Sequence, residues 1–116
     1  MSELVWGIKN GDLEIVRDYV ESKEIDLNKE IDGRPPLHYA ADYGQDHVIQ
    51  YLIQKGADVN IKDKHGISVL LAAIWEGHTN CVKTLLDKGA CKDGVAPDGT
   101  SYLDAADKDE IKKLLQ

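Results

Sequence analysis

Glycines recur at an interval of 33 residues along this chain of 116 residues. Seven residues after each of them stands an alanine, and a second glycine series keeps the same interval. A fixed period of this length indicates stacked supersecondary units, each of which buries its apolar face against its neighbours. The two series are Gly33, Gly66 and Gly99, and Gly11, Gly44 and Gly77, and the alanines are Ala40, Ala73 and Ala106.

Each unit is predicted to contain a short first helix, a tight link and a longer second helix. In the second unit Pro36 suits the first helical position, because its backbone angle is already that of a helix, and Gly44 ends the helix. The second helix carries apolar pairs on one face, and the pattern recurs one period earlier and one period later. These residues are Val48, Ile49, Leu52 and Ile53, with Ile15, Val16, Tyr19 and Val20 before them and Cys81, Val82, Leu85 and Leu86 after them.

The repeated unit resembles the ankyrin repeat. Residues 36–41 read Pro-Leu-His-Tyr-Ala-Ala and residues 56–60 read Gly-Ala-Asp-Val-Asn, as in that repeat. The resemblance implies an all-α ankyrin-repeat solenoid of four helix-turn-helix units with loop or hairpin tips, forming a single domain. We expect the last unit to lack four residues between its helices. The units are expected to span about 1–32, 33–65, 66–98 and 99–116 of the domain 1–116.

His38 occupies the position at which ankyrin repeats use a histidine to link adjacent loops through hydrogen bonds, so the resemblance implies a structural role for it. One unit later, Val69 and Leu71 stand where the repeat has proline and histidine. We expect this departure to weaken the loop network of the third unit without changing its fold.

A net charge of −7 argues against nucleic acid as a partner, because duplex binding depends on Lys and Arg side chains that neutralise phosphates. A basic protein surface fits better, although acidic surfaces also serve simply to keep proteins soluble. No apolar run approaches the ~20 residues of a membrane span. Cys81 and Cys91 form no CxxC pair, and we expect reduced thiols in a soluble, monomeric, intracellular protein.

Catalysis and metal binding have little support in the sequence. None of the four histidines stands in an HExxH pair. The acidic residues between 104 and 110 lack the glycine and the distal glutamate of an EF-hand loop, and no Lys-Ser or Lys-Thr pair follows Gly94 or Gly99. We therefore predict a protein that is not an enzyme and that has no metal or cofactor.

At a finer level the chain resembles the myotrophin family of free-standing four-repeat arrays. The resemblance rests on a first helix with a tryptophan followed by KNGDLE, and on PLHYAADYGQ, KGADVNIKDKHG, EGH and a terminal LLQ. It implies a cytosolic protein that binds heterodimeric actin capping protein and keeps it off filament barbed ends, with a nuclear pool left open. The expected mechanism is steric: an acidic, aromatic concave face covers a basic surface of the partner. The alternative is an adaptor for transcription-factor or signalling proteins.

Partner contacts are predicted on the concave side of the stack, which carries the loop tips and the outward positions of the first helices. Large aromatic side chains there are expected to be anchors. For Tyr39 we favour contact over a core role, whereas for Trp6 the two are balanced. For Arg34 we favour contact over a salt link to Asp32 or Glu30. The predicted set is Trp6, Arg34, Tyr39, Asp42, Tyr43, His65, Trp75 and Glu76.

Overall fold

A computed structural model describes residues 2–116, and this part of the chain forms eight α-helices in four successive pairs. The first helices of the pairs pack in one row and the second helices pack in another, so the molecule is elongated, with extents of 40 × 24 × 22 Å. The prediction of an all-α stack is confirmed. The helices are α1 (Glu3–Asn10), α2 (Leu13–Lys23), α3 (Pro36–Asp42), α4 (Asp46–Gln54), α5 (Val69–Glu76), α6 (Thr79–Asp87), α7 (Tyr102–Ala105) and α8 (Asp109–Leu115).

Serine side chains begin three of the four first helices. Ser2, Ser68 and Ser101 are the N-cap residues, and each Oγ accepts a hydrogen bond from the backbone N–H three residues on. Helix α3 is the exception, because Pro35 stands in the serine position and provides no side-chain cap. Pro36 follows it at the first helical position, as predicted.

The glycine series that ends the first helices is required by backbone conformation. Gly11, Gly44 and Gly77 have φ values of 67°, 68° and 71°, in the left-handed region that favours glycine. Space is short as well, because a Cβ at Gly44 would lie 2.7 Å from the ring of His78. This glycine series therefore marks the sharp turn into the second helix, which recurs every 33 residues in the first three units.

The second helices of units two to four are each tied to the end of the first helix of the preceding unit by the side chain of their N-cap residue. Gln45 donates to the carbonyl oxygen of Lys9 at 2.9 Å, and one unit later the ring Nε2 of His78 donates to Asp42 O, also at 2.9 Å. In the last unit the Lys108 ammonium donates to the carbonyl oxygen of Gly77 at 2.8 Å. The three bonds form a ladder along the stack.

Two asparagines form a second ladder on the loops that follow the second helices. Asn28 Oδ1 accepts the backbone N–H of Asp58 at 2.7 Å, and Asn60 Oδ1 accepts the N–H of Cys91 at 2.9 Å. Both asparagine Nδ2 groups donate to a glycine carbonyl of the next unit at 3.3 Å. Both ladders join neighbouring units, the first as far as the last unit and the second as far as the third.

The last unit is shorter than the others, as expected. Helix α7 has four residues, whereas α5 has eight, so the missing residues correspond to the last turn of the first helix. Helix α8 still packs against α6 and buries Ile111 and Leu115. The core therefore continues from the first unit to the last.

The apolar core runs along the whole stack and contains Leu37, Leu52, Leu71 and Leu85 in the centre, all without exposed surface. Cys81 belongs to it, and burial raises the pKa of its thiol to about 12, so the group stays protonated. Among residues 2–116, no helix is long and apolar enough to cross a membrane.

Candidate functional site

The candidate site is one face of the row of first helices. Three positions recur on it in each of the first three units, and they are spaced i, i+3 and i+4, so their side chains share one side of the helix. We call these residues the first-helix face. In units one to three they are Trp6, Lys9 and Asn10, then Tyr39, Asp42 and Tyr43, then Ala72, Trp75 and Glu76.

Three large aromatic side chains on the first-helix face are half exposed, one in each of the first three units. Trp6 is 48% exposed, Tyr43 50% and Trp75 47%. Exposed apolar area of this kind marks contact surfaces, and Trp and Tyr are the residue types that most often act as anchors there. Trp75, a member of the predicted set, extends this aromatic area into the third unit.

Tyr39 corrects the expectation that it projects from this face. Its side chain is buried, with 7% exposed, and its hydroxyl is shared between the carbonyl oxygens of Ile31 (2.8 Å) and Asp32 (2.6 Å). Burial raises the pKa of this phenol, which therefore remains a donor. Tyr39 shares its register position with Trp6, but it secures the loop that leads into its own helix.

Arg34 forms an ion pair with a different partner from those considered in the sequence. Its guanidinium pairs with the carboxylate of Asp42, approaches Asp63 at 3.9 Å and stacks 5.7 Å from the ring centre of Tyr39. Neither Asp32 nor Glu30 takes part in an ion pair with it. These contacts tie the loop before α3 to Asp42, the last residue of that helix.

Lys9 was not singled out from the sequence, yet it lies on the first-helix face where the first unit meets the second. Its Nζ is 5.5 Å from the ring centre of Tyr39 and 5.3 Å from that of Tyr43. Both distances are within the range of cation–π attraction. The register of Lys9 with Asp42 and Trp75 was the signal that could have identified it.

The remaining predicted residues are exposed. Glu76 follows Trp75 on the first-helix face, and His65 lies at the tip of the loop between the second and third units. That loop is ordered by Asp63, whose buried carboxylate accepts the backbone N–H groups of His65 at 2.9 Å and Ile67 at 3.0 Å. His65 is therefore presented on a loop of fixed shape.

His38 has the structural role implied by the resemblance. Its ring is fully buried, and Nε2 donates to the carbonyl oxygen of Ile67 in the next loop at 2.7 Å. Desolvation lowers the pKa of the ring, and the hydrogen bond to Ile67 opposes this effect only in part. No cluster of three or more His, Cys, Asp and Glu side chains in residues 2–116 is arranged to hold a metal ion.

The nine residues of the first-helix face carry two carboxylates and one cation, so they account for only one unit of the net negative charge. The carboxylates are Asp42 and Glu76 and the cation is Lys9, while Arg34, in the loop before α3, pairs with Asp42. The excess lies instead elsewhere in the first unit, since residues 1–33 contain nine of the 21 acidic residues and only four of the 14 basic ones. Exposed members on α2 are Glu14, Asp18, Glu21.

Comparison with known proteins agrees with this architecture. The ankyrin-repeat family, as three copies, matches residues 4–95. Myotrophin of Xenopus tropicalis is 53% identical over 114 residues, covering 97% of this chain and 96% of the relative. Myotrophin of Rattus norvegicus is 53% identical over 115 residues, covering 98% and 97%. The E3 ubiquitin-protein ligase hecd-1 of Caenorhabditis elegans is 33% identical over 121 residues, which is 98% of this chain but 4% of that protein. The chain therefore belongs to the ankyrin-repeat proteins and, within them, to the myotrophin family.

Proposed function

We propose that this chain is a cytoplasmic, monomeric protein-interaction module that binds heterodimeric actin capping protein and sterically inhibits the capping of filament barbed ends. The observation that carries the interaction role is the row of half-exposed Trp6, Tyr43 and Trp75 on the first-helix face. The choice of capping protein rests on the resemblance to the myotrophin family, with which the chain shares about its whole length.

Rigidity of the face favours such a role. The two ladders of hydrogen bonds fix the spacing of neighbouring units. Contacts of Arg34 and Tyr39 tie the loop before α3 to that helix. A preorganised surface loses little conformational entropy on binding, so more of the contact energy remains as affinity. The steric mechanism needs only that a body about 40 Å long covers the surface by which the partner meets actin.

The charge distribution divides the roles of the two parts of the surface. The carboxylates of the first unit steer a basic partner toward the module, which raises the association rate at low salt. The aromatic residues of the first-helix face then hold the complex, because buried anchors control the dissociation rate. Raising the salt concentration should therefore slow association more than it speeds dissociation.

The test is to titrate purified capping protein with the wild-type chain and with Trp6→Ala, Tyr43→Ala and Trp75→Ala. Each substitution is expected to weaken binding by at least about 1 kcal/mol, since each removes an anchor, and to leave the melting temperature nearly unchanged. Val95→Ala is the matched control, because Val95 is an exposed apolar residue outside this face. Equal affinity of all variants would place the contact elsewhere.

Recovery of partners from a cytosolic extract separates this proposal from the adaptor alternative. Capture of both capping subunits in equal amounts supports the proposal. Capture of transcription-factor or signalling proteins without the capping subunits would support the adaptor. Arg34→Glu is less suitable as a probe, because the loss of the ion pair with Asp42 also disturbs the fold.

A further inference from the structure

Lys9, the cation of the first-helix face, and Arg34, in the loop before α3, differ in their surroundings. Arg34 is paired with Asp42, whereas no carboxylate of the described residues lies within 4.0 Å of the Lys9 ammonium. Lys9 is instead held between the rings of Tyr39 and Tyr43, with Trp6 one turn before it on the same helix. A positive charge thus stands uncompensated among the exposed aromatic side chains.

We propose that the partner segment that lies on the first-helix face places a carboxylate against Lys9 and flanks it with apolar side chains that contact Trp6, Tyr43 and Trp75. This inference rests on the proposed interaction role of the face, and it specifies the chemistry of the contact. The occupant is a short apolar segment with an acidic residue at its centre.

The position of Lys9 between two rings prepares it for this contact. An ammonium group has three N–H donors, and the faces of two rings occupy two directions around it, which leaves one side for an anion. Rings attract the cation but do not neutralise its formal charge. Because the side chain is already held, an ion pair formed here loses less side-chain entropy than one formed by a free surface lysine.

A basic segment fits the same face poorly. It would meet the positive charge of Lys9 and the guanidinium of Arg34, and the carboxylate of Asp42 is already paired. Among the residues of the face only Glu76 offers an exposed carboxylate. A basic region of the partner therefore belongs near the acidic residues of the first unit, and an apolar segment with an acidic centre belongs on the first-helix face.

The first experiment uses two peptides that differ in one charge, acetyl-Leu-Leu-Glu-Leu-Leu-amide and acetyl-Leu-Leu-Lys-Leu-Leu-amide. Binding is followed by the NMR shifts of the Trp6 and Trp75 indoles and of Tyr43. We expect the glutamate peptide to bind at least about threefold more tightly, as an exposed ion pair provides. The net charge of −7 favours the lysine peptide, so this preference cannot arise from overall charge. A preference for the lysine peptide, or no difference between the two, would overturn the inference.

The second experiment measures the affinity of Lys9→Glu and Lys9→Gln for purified capping protein. Charge reversal should weaken binding about tenfold, since attraction becomes repulsion, and Lys9→Gln should fall between the reversal and the wild type. Lys83→Glu is the matched control, because it changes the net charge equally on the exposed side of α6. Melting temperatures identify any loss of fold.

The outcomes separate the two proposals. If the wild type binds and Lys9→Glu binds equally or more tightly, the carboxylate contact is wrong and the capping-protein function stands. If the wild type does not bind capping protein, that function is wrong, and the preference between the two peptides alone decides whether the face takes an acidic segment.

Discussion

The junction between the second and third units and the junction between the third and fourth units share their apolar packing but differ in their polar contacts. In the former, the buried ring of His38 donates to Ile67 O. In the latter, Leu71 occupies the histidine position, and the hydroxyl groups of Ser68 and Tyr102 form a buried hydrogen bond at 2.7 Å. Each junction thus has a buried polar bond between units, but it comes from different positions of the repeat.

The contact between Ser68 and Tyr102, at the junction of the third and fourth units, depends on two residues that differ from the preceding junction. Tyr102 and Gly94 stand where the preceding junction has Val69 and Ile61. A Cβ at Gly94 would lie 2.5 Å from the Tyr102 ring, so the tyrosine reaches Ser68 only because this glycine has no side chain. The third unit was expected to have a weaker loop network; it lacks the histidine contact and has this hydrogen bond instead.

The largest effect should come from the apolar packing that the junctions share. Leu52 and Leu85 occupy the same register position, and both are fully buried. Truncation of either to alanine should cost about 2–5 kcal/mol of the free energy of unfolding, because it leaves a cavity between second helices. Urea unfolding of the two variants measures this. A loss under about 1 kcal/mol for one of them would show that the two junctions are packed differently.

Gly94→Ala should specifically destabilise the junction between the third and fourth units. The new methyl group meets the ring of Tyr102, and forced movement in a packed site costs about 1–3 kcal/mol. The control is the same substitution together with Tyr102→Val, which resembles the pair Ile61 and Val69 of the preceding junction. If thermal or urea unfolding shows the same loss for Gly94→Ala with and without Tyr102→Val, the ring is not the cause.

Tyr102→Phe tests the hydroxyl bond alone. Ser68 Oγ keeps its role as N-cap of α5 but loses its contact with the phenol, so we expect a loss of about 1 kcal/mol in the free energy of unfolding. Tyr43→Phe provides the control, since its side chain is half exposed and should change stability by less than about 0.5 kcal/mol. Equal stability of the two variants would contradict a stabilising role for the bond.

The smallest effect is a dependence of the free energy of unfolding on pH. Only the junction between the second and third units should show it. Burial holds the folded pKa of His38 below 6.5, so the unfolded chain binds the proton more readily. The stability that this ring contributes is present above pH 6.5 and is lost as the pH falls through the lowered folded value. Arg34 opposes protonation, whereas Asp42 and Asp63 favour it.

His38→Leu copies the residue of the third unit and checks this pH effect. The variant should lose about 1 kcal/mol above pH 6.5, because the hydrogen bond to Ile67 is absent, and should lose less further stability than the wild type on acidification. Unfolding midpoints on both sides of pH 6.5 provide the measurement. Parallel pH profiles for the two proteins would assign the acid sensitivity to other groups.

Much of the architecture could be predicted because it depends on local rules that repeat. The glycines that end first helices, the proline at the start of α3 and the apolar pairs of the second helices each act through neighbouring residues, so their period identifies the units. The shortened last unit was also predicted, because a missing helical turn shifts the register of Ile111 and Leu115 by a countable number of residues.

The candidate site was predicted less completely, because exposure depends on which neighbour reaches a side chain. Trp6 and Tyr39 share a register position, yet one is half exposed and the other is buried. Tyr39 is covered because Arg34 and Lys9 stack on its ring and its hydroxyl donates to carbonyl oxygens of the preceding loop. The period of the repeat does not predict these contacts, because it gives Trp6 and Tyr39 the same position.

The sequence by itself determined the repeat, the start and end of α3, the family and the aromatic character of the first helices. The tertiary structure alone decided which charges are paired, because Arg34, Asp42 and Asp63 meet only when a loop folds over a helix. It also decided that Lys9 is uncompensated and that Tyr102 replaces the missing histidine contact. Backbone conformation follows local sequence, whereas the pairing of side chains from different units depends on distances that only the packed stack sets.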